Sequence, residues 1–257
     1  MFFRQSVANL SAAELAAWRQ AMARSKALKD NRGYVHFAGM HGLPDQLCQH
    51  SNPLFLPWHR AYLYMLEMAL RDLDATVSLP WWDWTSDDAH ATGLPAAYTD
   101  TAAANPLLSG PTGLPRDVLD QIEQQFPDTM DFSVDPPVTV RAPGPPAELP
   151  SAATIEAILE APTFDDFTTR LEDQHNQVHG WVGGAMSLVP IAGFDPIFFA
   201  HHAMIDRLWY LWQLRNPNAG VGTVPLDRAL DGFPLNVGQV LNIHRLGYDY
   251  ATKVNTA

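Results

Sequence analysis

The 257-residue sequence predicts a mainly α-helical fold in which four helices are joined by long loops and little β structure is present. Apolar residues recur at helical spacing in four segments, and residues typical of helix N-termini precede them. A stretch rich in Pro, Ala, Thr, Gly and Asp, at about 80–150, separates the first two segments from the last two and predicts an irregular connection with a short helix near 116–125. We therefore expect one domain over residues 1–257.

The first half of the chain contains two predicted helices. Ser11 and Glu14 form a capping box, and the helix that follows should end near Lys29. Pro57 suits the first position of a second helix that runs to about Leu73, because the N–H that proline lacks has no partner there anyway. Leucines at helical spacing give this second helix an apolar stripe.

The second half contains two more predicted helices. Thr163 marks the start of a third helix, which the glycine pair 183–184 should end. Asp195 and Pro196 should open a fourth helix through about Leu214, with Asp as the N-cap and Pro at the first helical position.

Composition and charge exclude several classes of function. The net charge of −12 and the pI near 5.1 argue against nucleic acid or an anionic membrane as a partner. No run of 18 apolar residues is present, so no membrane span is expected. The N-terminus lacks the features of a secretory signal, and a single cysteine allows no internal disulfide. We therefore expect a cytoplasmic protein.

Six of the ten histidines fall into two groups of three. Neutral imidazole is the commonest protein ligand for copper, zinc and iron, whereas structural zinc usually recruits cysteines. Two all-imidazole groups in one chain therefore indicate a metal pair rather than a structural metal. The groups are His41, His50 and His59, and His175, His179 and His202.

Helical spacing supports the second group. His175 and His179 are four residues apart on a predicted helix, so their side chains share one face and can reach one metal. Taken alone, such a pair is more often solvated or hydrogen-bonded. The recurrence of a similar group upstream favours metal binding, with His202 contributed by the next helix.

Several motifs resemble the tyrosinase family of type-3 copper proteins. They are GMHGLP, CQH followed by FLPWHRAYL, LPWWDW, LEDQHNQVHGWVGG, DPIFFAHHAMIDRLW and LGYDY. Their order and spacing fit the family and cover the chain from near its start to its end. The resemblance implies a four-helix bundle that holds two copper ions, with dioxygen as co-substrate. It assigns His41, His50 and His59 to one copper, and His175, His179 and His202 to the other.

The resemblance also suggests roles for two residues beside the ligands. In fungal and plant members a cysteine sulfur is bonded to a ring carbon of the neighbouring histidine, so we predict a thioether between Cys48 and His50. The alternative is that Cys48 is a small buried apolar residue. Adjacent helical residues point about 100° apart, so we expect His202 to bind the metal and His201 to pack beneath it or form a hydrogen bond.

Two polar residues flank His175 at helical spacing. Glu172 and Asn176 are one turn apart, and in the family a Glu and an Asn at these places are assigned to hold a water that takes the phenol proton. Alternatively, Glu172 is a solvated surface charge and Asn176 only orients its neighbour. We expect the catalytic role for both.

Small residues predict an accessible site. Val189 lies thirteen residues before His202 in a predicted loop, where the family has a gate residue, and Gly180 follows the second ligand of its group. Alternatively, both only pack within the loop. Asp206, Arg207 and Arg60 resemble fixed motif positions of the family, and we expect structural roles for them, because buried charges should be paired or hydrogen-bonded.

The resemblance implies an oxidoreductase that acts on small phenols. It would hydroxylate monophenols and oxidise o-diphenols to o-quinones, as in melanin formation, and a separate helper protein could deliver its copper. Three alternatives remain: a catechol oxidase or o-aminophenol oxidase, an oxygen carrier of the hemocyanin type, and a dizinc hydrolase, which the lack of a bridging carboxylate disfavours. Because the chain stops seven residues after LGYDY, we expect no C-terminal lid domain and activity once copper is bound.

Overall fold

Helices dominate the computed structural model, which describes residues 1–101 and 104–250. The prediction of a mainly α fold with little β structure is confirmed. The α-helices are α1 (Ala12–Ala27), α2 (Tyr34–His41), α3 (Phe55–Leu73), α4 (Asp87–Thr92), α5 (Ala96–Thr99), α6 (Arg116–Gln125), α7 (Ala152–Leu159), α8 (Phe164–Val182), α9 (Val189–Ala192), α10 (Ile197–Arg215) and α11 (Val237–Val240). The predicted domain extends to residue 257, and its last seven residues lie outside the described ranges.

Four short strands form two small sheets. They are β1 (Phe2–Arg4), β2 (Met130–Asp131), β3 (Val138–Thr139) and β4 (Tyr248–Tyr250). Strand β1 pairs in parallel with β4, and β2 pairs antiparallel with β3. The first sheet therefore joins the two ends of the described chain.

The N-caps that the sequence predicts are present on two helices. Ser11 accepts a hydrogen bond from the backbone N–H of Glu14, whose carboxylate accepts one from the N–H of Ser11, which completes the capping box of α1. Thr163 accepts a hydrogen bond from the N–H of Asp166 at the start of α8. Helix α1 ends at Ala27, about half a turn before the predicted end.

Two predicted helix starts are shifted by one or two residues. Helix α3 begins at Phe55, so Pro57 lies inside the first turn, where its missing N–H costs no helical hydrogen bond. Helix α10 begins at Ile197 after Pro196. The Asp195 carboxylate still accepts a hydrogen bond from the Ile197 N–H at 3.0 Å, while it also pairs with Arg141.

Helix α3 lies at the centre of the bundle. It packs against α10, α1 and α8, which are the other three predicted long helices. Large aromatic side chains fill the space between these helices, and Trp58, Trp209 and Trp212 are fully buried. Burial of each such side chain stabilises the fold by about 1.5–3 kcal/mol or more. None of the described helices is long and apolar enough to cross a membrane.

The sequence did not predict helix α2. Six of its eight residues are buried, so it has almost no polar face that would produce a helical pattern in the sequence. Glycine at position 39 also lowers its helix propensity. This short helix matters for the site because its last residue is His41.

A buried network of charges ties the chain ends to the bundle. Arg4 on β1 donates hydrogen bonds to Glu67 on α3 and Asp206 on α10. Asp206 also pairs with Arg60 on α3 and accepts a hydrogen bond from the Tyr248 hydroxyl at 2.7 Å. All the charged side chains are at most 2% exposed. Arg60 and Asp206, for which the sequence predicted structural roles, are paired with each other in this network.

We expect Asp206→Asn to destabilise the protein by about 3–5 kcal/mol, because two buried guanidinium groups would lose their shared counter-charge. Urea unfolding measures the change. The matched control is Asp227→Asn, which alters an exposed side chain and should change the free energy of unfolding by less than about 0.5 kcal/mol. Similar small effects of both substitutions would contradict the assigned importance of the network.

Candidate metal centre

Four helices and one loop bring seven histidines together. They are His41 at the end of α2, His50 in the loop 42–54, His59 on α3, His175 and His179 on α8, and His201 and His202 on α10. The ring centroids of His50 and His59 lie 5.1 Å apart, and those of His175 and His50 lie 5.6 Å apart. The cluster thus contains all six histidines that the sequence proposes as ligands, together with His201.

On the α8 side, three ring nitrogens converge on one point. The Nε2 atom of His202 lies 3.1 Å from Nε2 of His175 and 3.2 Å from Nε2 of His179. At the opposite ring edge, Nδ1 of His175 lies 3.0 Å from Oδ1 of Asn176, and Nδ1 of His179 lies 2.7 Å from the Met186 carbonyl oxygen. Because carbonyl oxygens only accept, both Nδ1 atoms carry the proton and both Nε2 lone pairs point into the cluster.

These nitrogen separations fit a shared metal ion. Two ligands bound about 2.0–2.1 Å from one metal lie roughly 3–3.5 Å apart, depending on the angle between them. Without a metal, the His202 proton could satisfy only one of the two facing lone pairs at a time. The arrangement therefore has the donor geometry of a metal site.

On the α3 side, His59 is oriented in the same way. Its Nδ1 lies 2.8 Å from the Phe55 carbonyl oxygen one helical turn earlier, which leaves Nε2 free to face the cluster. The ligand atoms of His41, His59 and His202 lie within 4.8 Å of one another. His202 therefore belongs to both sides of the cluster, whereas the sequence assigned it to one.

His201 lies closer to the cluster than helix geometry suggested. Its ligand atom lies within 4.8 Å of those of His175, His179 and His202. The His175 ring stacks on His201 at 5.2 Å between centroids and meets His202 edge-on at 4.7 Å. His201 and His202 are adjacent on α10, yet both rings belong to the cluster, because the ring of His175 on α8 contacts both of them.

Burial keeps the imidazoles neutral. Loss of solvation lowers the pKa of His50 and of His179 to about 4 in each case. Burial, reinforced by the neighbouring histidines, also lowers the pKa of the other five rings well below the ordinary histidine value; these are His41, His59, His175, His201 and His202. At neutral pH each ring thus has a lone pair to donate to a metal.

Unpaired buried nitrogens show that the residues fit a metal. Nε2 of His59 has no hydrogen-bond partner in the described part of the chain. The rings of His41 and His201 each have a backbone contact on one nitrogen at most, with Val189 and His175 respectively, which leaves the other nitrogen unpaired. A buried polar atom without a partner costs about 1–3 kcal/mol. Metal ions coordinated by these nitrogens would remove this cost, and an all-imidazole donor set suits copper.

A cavity of about 180 Å³ opens onto the histidines. It is lined by His41, His50, His175, Asn176, His179, Gly180, Met186, Ser187 and Val189. Val189 is 50% exposed and is the first residue of helix α9, whereas the sequence placed it in a loop. Apart from its chain neighbours and the backbone of its own helix, no atom lies within 4 Å of the position that a Cβ at Gly180 would occupy. Both predicted access residues line the cavity.

Comparison with known proteins identifies the family. The family model for the common central domain of tyrosinase matches residues 31–215, which is most of the chain. The chain belongs to the tyrosinase family. Tyrosinase of Streptomyces antibioticus is 35% identical over 196 residues, or 66% of each chain. Tyrosinase of Streptomyces glaucescens is 32% identical over 86% of this chain and 85% of its own length.

Hemocyanins are relatives as well. Units G and H of Sepia officinalis hemocyanin are 31% identical over 82% of this chain, which corresponds to 37% of that protein. A functional unit of octopus hemocyanin superposes with a TM-score of 0.76 at 27% identity, covering 97% of this chain and 68% of the other. Tyrosinase from Burkholderia thailandensis shares the fold with a TM-score of 0.77 at 22% identity, covering 99% and 74%. The tyrosinase family implies a dicopper centre, and the histidine cluster supplies donors of the right kind.

The two residues expected to handle the phenol proton lie on one face of α8. The buried Glu172 carboxylate accepts a hydrogen bond from the Ser51 N–H at 2.6 Å, and burial raises its pKa. Asn176 lines the histidine cavity and contacts His175. Glu172 does not line this cavity but lines a neighbouring depression, which Asn176 also lines. Asn176 therefore stands between the cavity and the carboxylate.

The sequence did not predict that backbone carbonyls orient the histidine rings. The carbonyl of Phe55 lies four residues before His59 on α3, so helical spacing offered a signal for this contact. The contact between Met186 and His179 crosses the turn after α8. The sequence gives no signal for this contact, because a residue of any type at position 186 would have a backbone carbonyl.

Cys48 lies near His50, its partner in the predicted thioether. Its Sγ atom and the ligand atoms of His41 and His50 lie within 4.8 Å of one another. The residue is half-buried, and burial raises the pKa of its thiol to about 11. The thiol therefore stays protonated near neutral pH and is a poor nucleophile toward reagents outside the protein.

The thioether remains a prediction, and intact mass tests it. Bond formation between Sγ and a ring carbon of His50 removes one hydrogen from each, and dioxygen would serve as the oxidant that takes up the pair as hydrogen peroxide. Copper held by the histidines would supply the activation of dioxygen. Copper-loaded protein should weigh less than its sequence by these two hydrogens and resist alkylation in denaturant. Cys48→Ser should show its full sequence mass under the same treatment. A Cys48 thiol that alkylates freely after copper loading and exposure to air would contradict the prediction.

Proposed function

We propose that this chain is a tyrosinase, an oxidoreductase that uses dioxygen to hydroxylate monophenols and to oxidise o-diphenols to o-quinones. The observation that supports this proposal most strongly is the set of inward-facing imidazole nitrogens beneath an open cavity. Copper ions held by the proposed ligands would supply the activation of dioxygen. The protein would supply ligand geometry, access for the phenol and an acceptor for its proton.

Ring orientation is the first contribution of the protein. Hydrogen bonds from Nδ1 to the Phe55 and Met186 carbonyls fix His59 and His179, so each ring presents Nε2 without reorganisation. The rings are packed against aromatic neighbours, and Phe198 stacks on His202 at 4.0 Å between centroids. A donor set held in this way would bind a metal ion with little rearrangement of the protein.

Access is the second contribution. The half-exposed Val189 and the unobstructed space beside Gly180 leave the cavity open to a ring-sized molecule. Imidazole rings and Met186 line the cavity, and an aromatic ring packs well against walls of this kind. An open mouth favours an enzyme over an oxygen carrier, whose site must exclude phenols.

Proton acceptance is the third contribution. A phenol has to reach the metal as phenolate, so its O–H proton must move to a base. A water between Asn176 and Glu172 would take this proton and pass it to the carboxylate. The pKa of Glu172 is raised by burial, which makes the carboxylate a better proton acceptor than a solvated one. Asn176 would orient the water as it orients His175.

A catechol oxidase or o-aminophenol oxidase is the second candidate, because it would use the same histidines. Family membership alone does not separate these activities, since tyrosinases and hemocyanins are both relatives. The buried Glu172 beside the cavity favours a tyrosinase, since monophenols need the proton acceptor most.

Glu172→Gln should lower kcat/KM for a monophenol about 100-fold, the usual effect of a lost general base, and that for the matching catechol only a few-fold. Oxygen uptake by copper-loaded protein measures both substrates in parallel. Glu123→Gln on α6, which lines neither depression, is the matched control and should change neither rate. Equal losses on both substrates would refute the assigned role of Glu172. Absence of uptake by the unaltered protein with either substrate would refute the enzyme proposal itself.

Gly180→Leu should fill the mouth of the cavity without a clash, since the space beside Gly180 is open. We expect kcat/KM for a bulky 4-tert-butylphenol to fall at least tenfold more than that for phenol. The thermal midpoint should not decrease, because replacement of a helical glycine contributes about 0.5–1 kcal/mol. Ala16→Leu, at an exposed position of helix α1 outside the cavity, serves as the control for activity. Equal losses on the two phenols would show that the entrance lies elsewhere.

A further inference from the structure

Another cavity, of about 180 Å³, is lined by residues of the segments 6–9 and 81–95 and by Arg207. None of the described residues that line it lines the histidine cavity. Trp81 and Trp82, which are 4% and 3% exposed, form part of its wall, so we call it the tryptophan pocket. The proposed phenol oxidation gives this pocket no role.

Arg207 on α10 brings an unpaired positive charge to the tryptophan pocket. Its guanidinium carbon lies 4.1 Å from the centroid of the Trp81 ring. Within residues 1–101 and 104–250 the partly buried guanidinium forms no hydrogen bond or ion pair, although its nitrogens stay in contact with solvent. By contrast, the buried guanidinium groups of Arg4 and Arg60 each pair with a carboxylate. The N–H donors of Arg207 are therefore free to bind a ligand.

Asp83 brings a negative charge to the same pocket. Loss of solvation lowers the pKa of Arg207, and the charge of Asp83 opposes this effect, so the two groups act on each other. They nevertheless form no ion pair within 4.0 Å in the described part of the chain. Oδ1 of Asp83 accepts hydrogen bonds from the N–H and the hydroxyl of Thr85, whereas no described residue donates to Oδ2. The pocket thus contains two opposite charges that are not paired with each other.

A ligand that carries both charges fits this arrangement. A carboxylate alone would pair with Arg207 but would be repelled by Asp83 and by Asp88, an exposed residue that also lines the pocket. An ammonium group alone would pair with Asp83 but would be repelled by Arg207. In an α-amino acid the carboxylate and the ammonium group share one carbon atom, so both charges can be paired within a small volume.

The size and the walls of the pocket limit the rest of the ligand. Its volume of about 180 Å³ is below the roughly 300–1,000 Å³ that is usual for drug-sized ligands. A single amino acid therefore suits the pocket better than a peptide. Val7, Trp82 and Pro95 are apolar residues of the lining, and an aliphatic side chain would bury apolar surface against them.

We propose that the tryptophan pocket binds a free α-amino acid with an aliphatic side chain, whose carboxylate pairs with Arg207 and whose ammonium group pairs with Asp83. The side chain of the amino acid packs against the apolar lining. This binding does not depend on the proposed phenol oxidation, because the pocket and the histidine cavity have separate linings. Loss of either charged contact should weaken binding about tenfold.

Titration calorimetry with three compounds of similar carbon skeleton tests the ligand class. They are L-leucine, 3-methylbutylamine, which lacks the carboxylate, and 4-methylpentanoate, which lacks the ammonium group. We expect L-leucine to bind the copper-loaded protein at least tenfold more tightly than either of the others. Because amino acids chelate copper, the titration is repeated with the metal-free protein, which should show the same affinity for L-leucine. Equal binding of the three compounds, or leucine binding that requires copper, would overturn the proposal.

Two substitutions test the two charged contacts separately. Asp83→Asn keeps Oδ1 as an acceptor for Thr85 and should weaken the binding of L-leucine about tenfold without weakening that of 4-methylpentanoate. Arg207→Gln should weaken both of these compounds about tenfold without weakening 3-methylbutylamine. The matched control is Asp87→Asn, which removes a neighbouring exposed charge outside the pocket and should leave all three affinities unchanged.

The thermal midpoint of each variant shows whether it is folded. If Arg207→Gln does not fold, Asp83→Asn decides alone, because it preserves the hydrogen bonds to Thr85. An unchanged affinity for L-leucine in the folded Asp83→Asn variant would overturn the assigned site. A loss of affinity of the same size in Asp87→Asn would overturn it as well, since the effect would then come from the general negative charge of this segment.

Discussion

The structure depends on the burial of neutral imidazoles whose lone pairs face one another. Burial lowers the pKa values of these rings, so the cluster takes up no additional proton near neutral pH. A proton on Nε2 of His202 can bond to only one of the two Nε2 atoms that lie 3.1 and 3.2 Å away. A cluster of this kind is unfavourable in an empty protein and favourable around a metal cation. Metal binding and the packing of the central helices are therefore coupled.

The rest of the fold holds this cluster in place. Helices α3, α8 and α10 each contribute histidines, while the network around Asp206 fixes α3 against α10 and ties both chain ends to them. Backbone carbonyls set the rotation of individual rings.

Much of the fold could be predicted from the sequence because local signals define it. The capping residues Ser11 and Thr163 mark helix starts, and the spacing of His175 and His179 places both on one face. Helix α2 was missed because it is buried on nearly all sides. The position of His202 between both groups and the approach of His201 depend on how α10 packs against α8 and α3, which no local pattern specifies.

The most direct test of a two-metal centre is the thermal midpoint of the metal-free protein measured during titration with copper. We predict that the midpoint rises by about 5–10 °C and stops rising at two copper ions per chain, because ions that bind only the folded state stabilise it by mass action. A midpoint that does not change with copper, or that saturates with less than one ion per chain, would contradict the claim that these buried imidazoles form a two-metal centre.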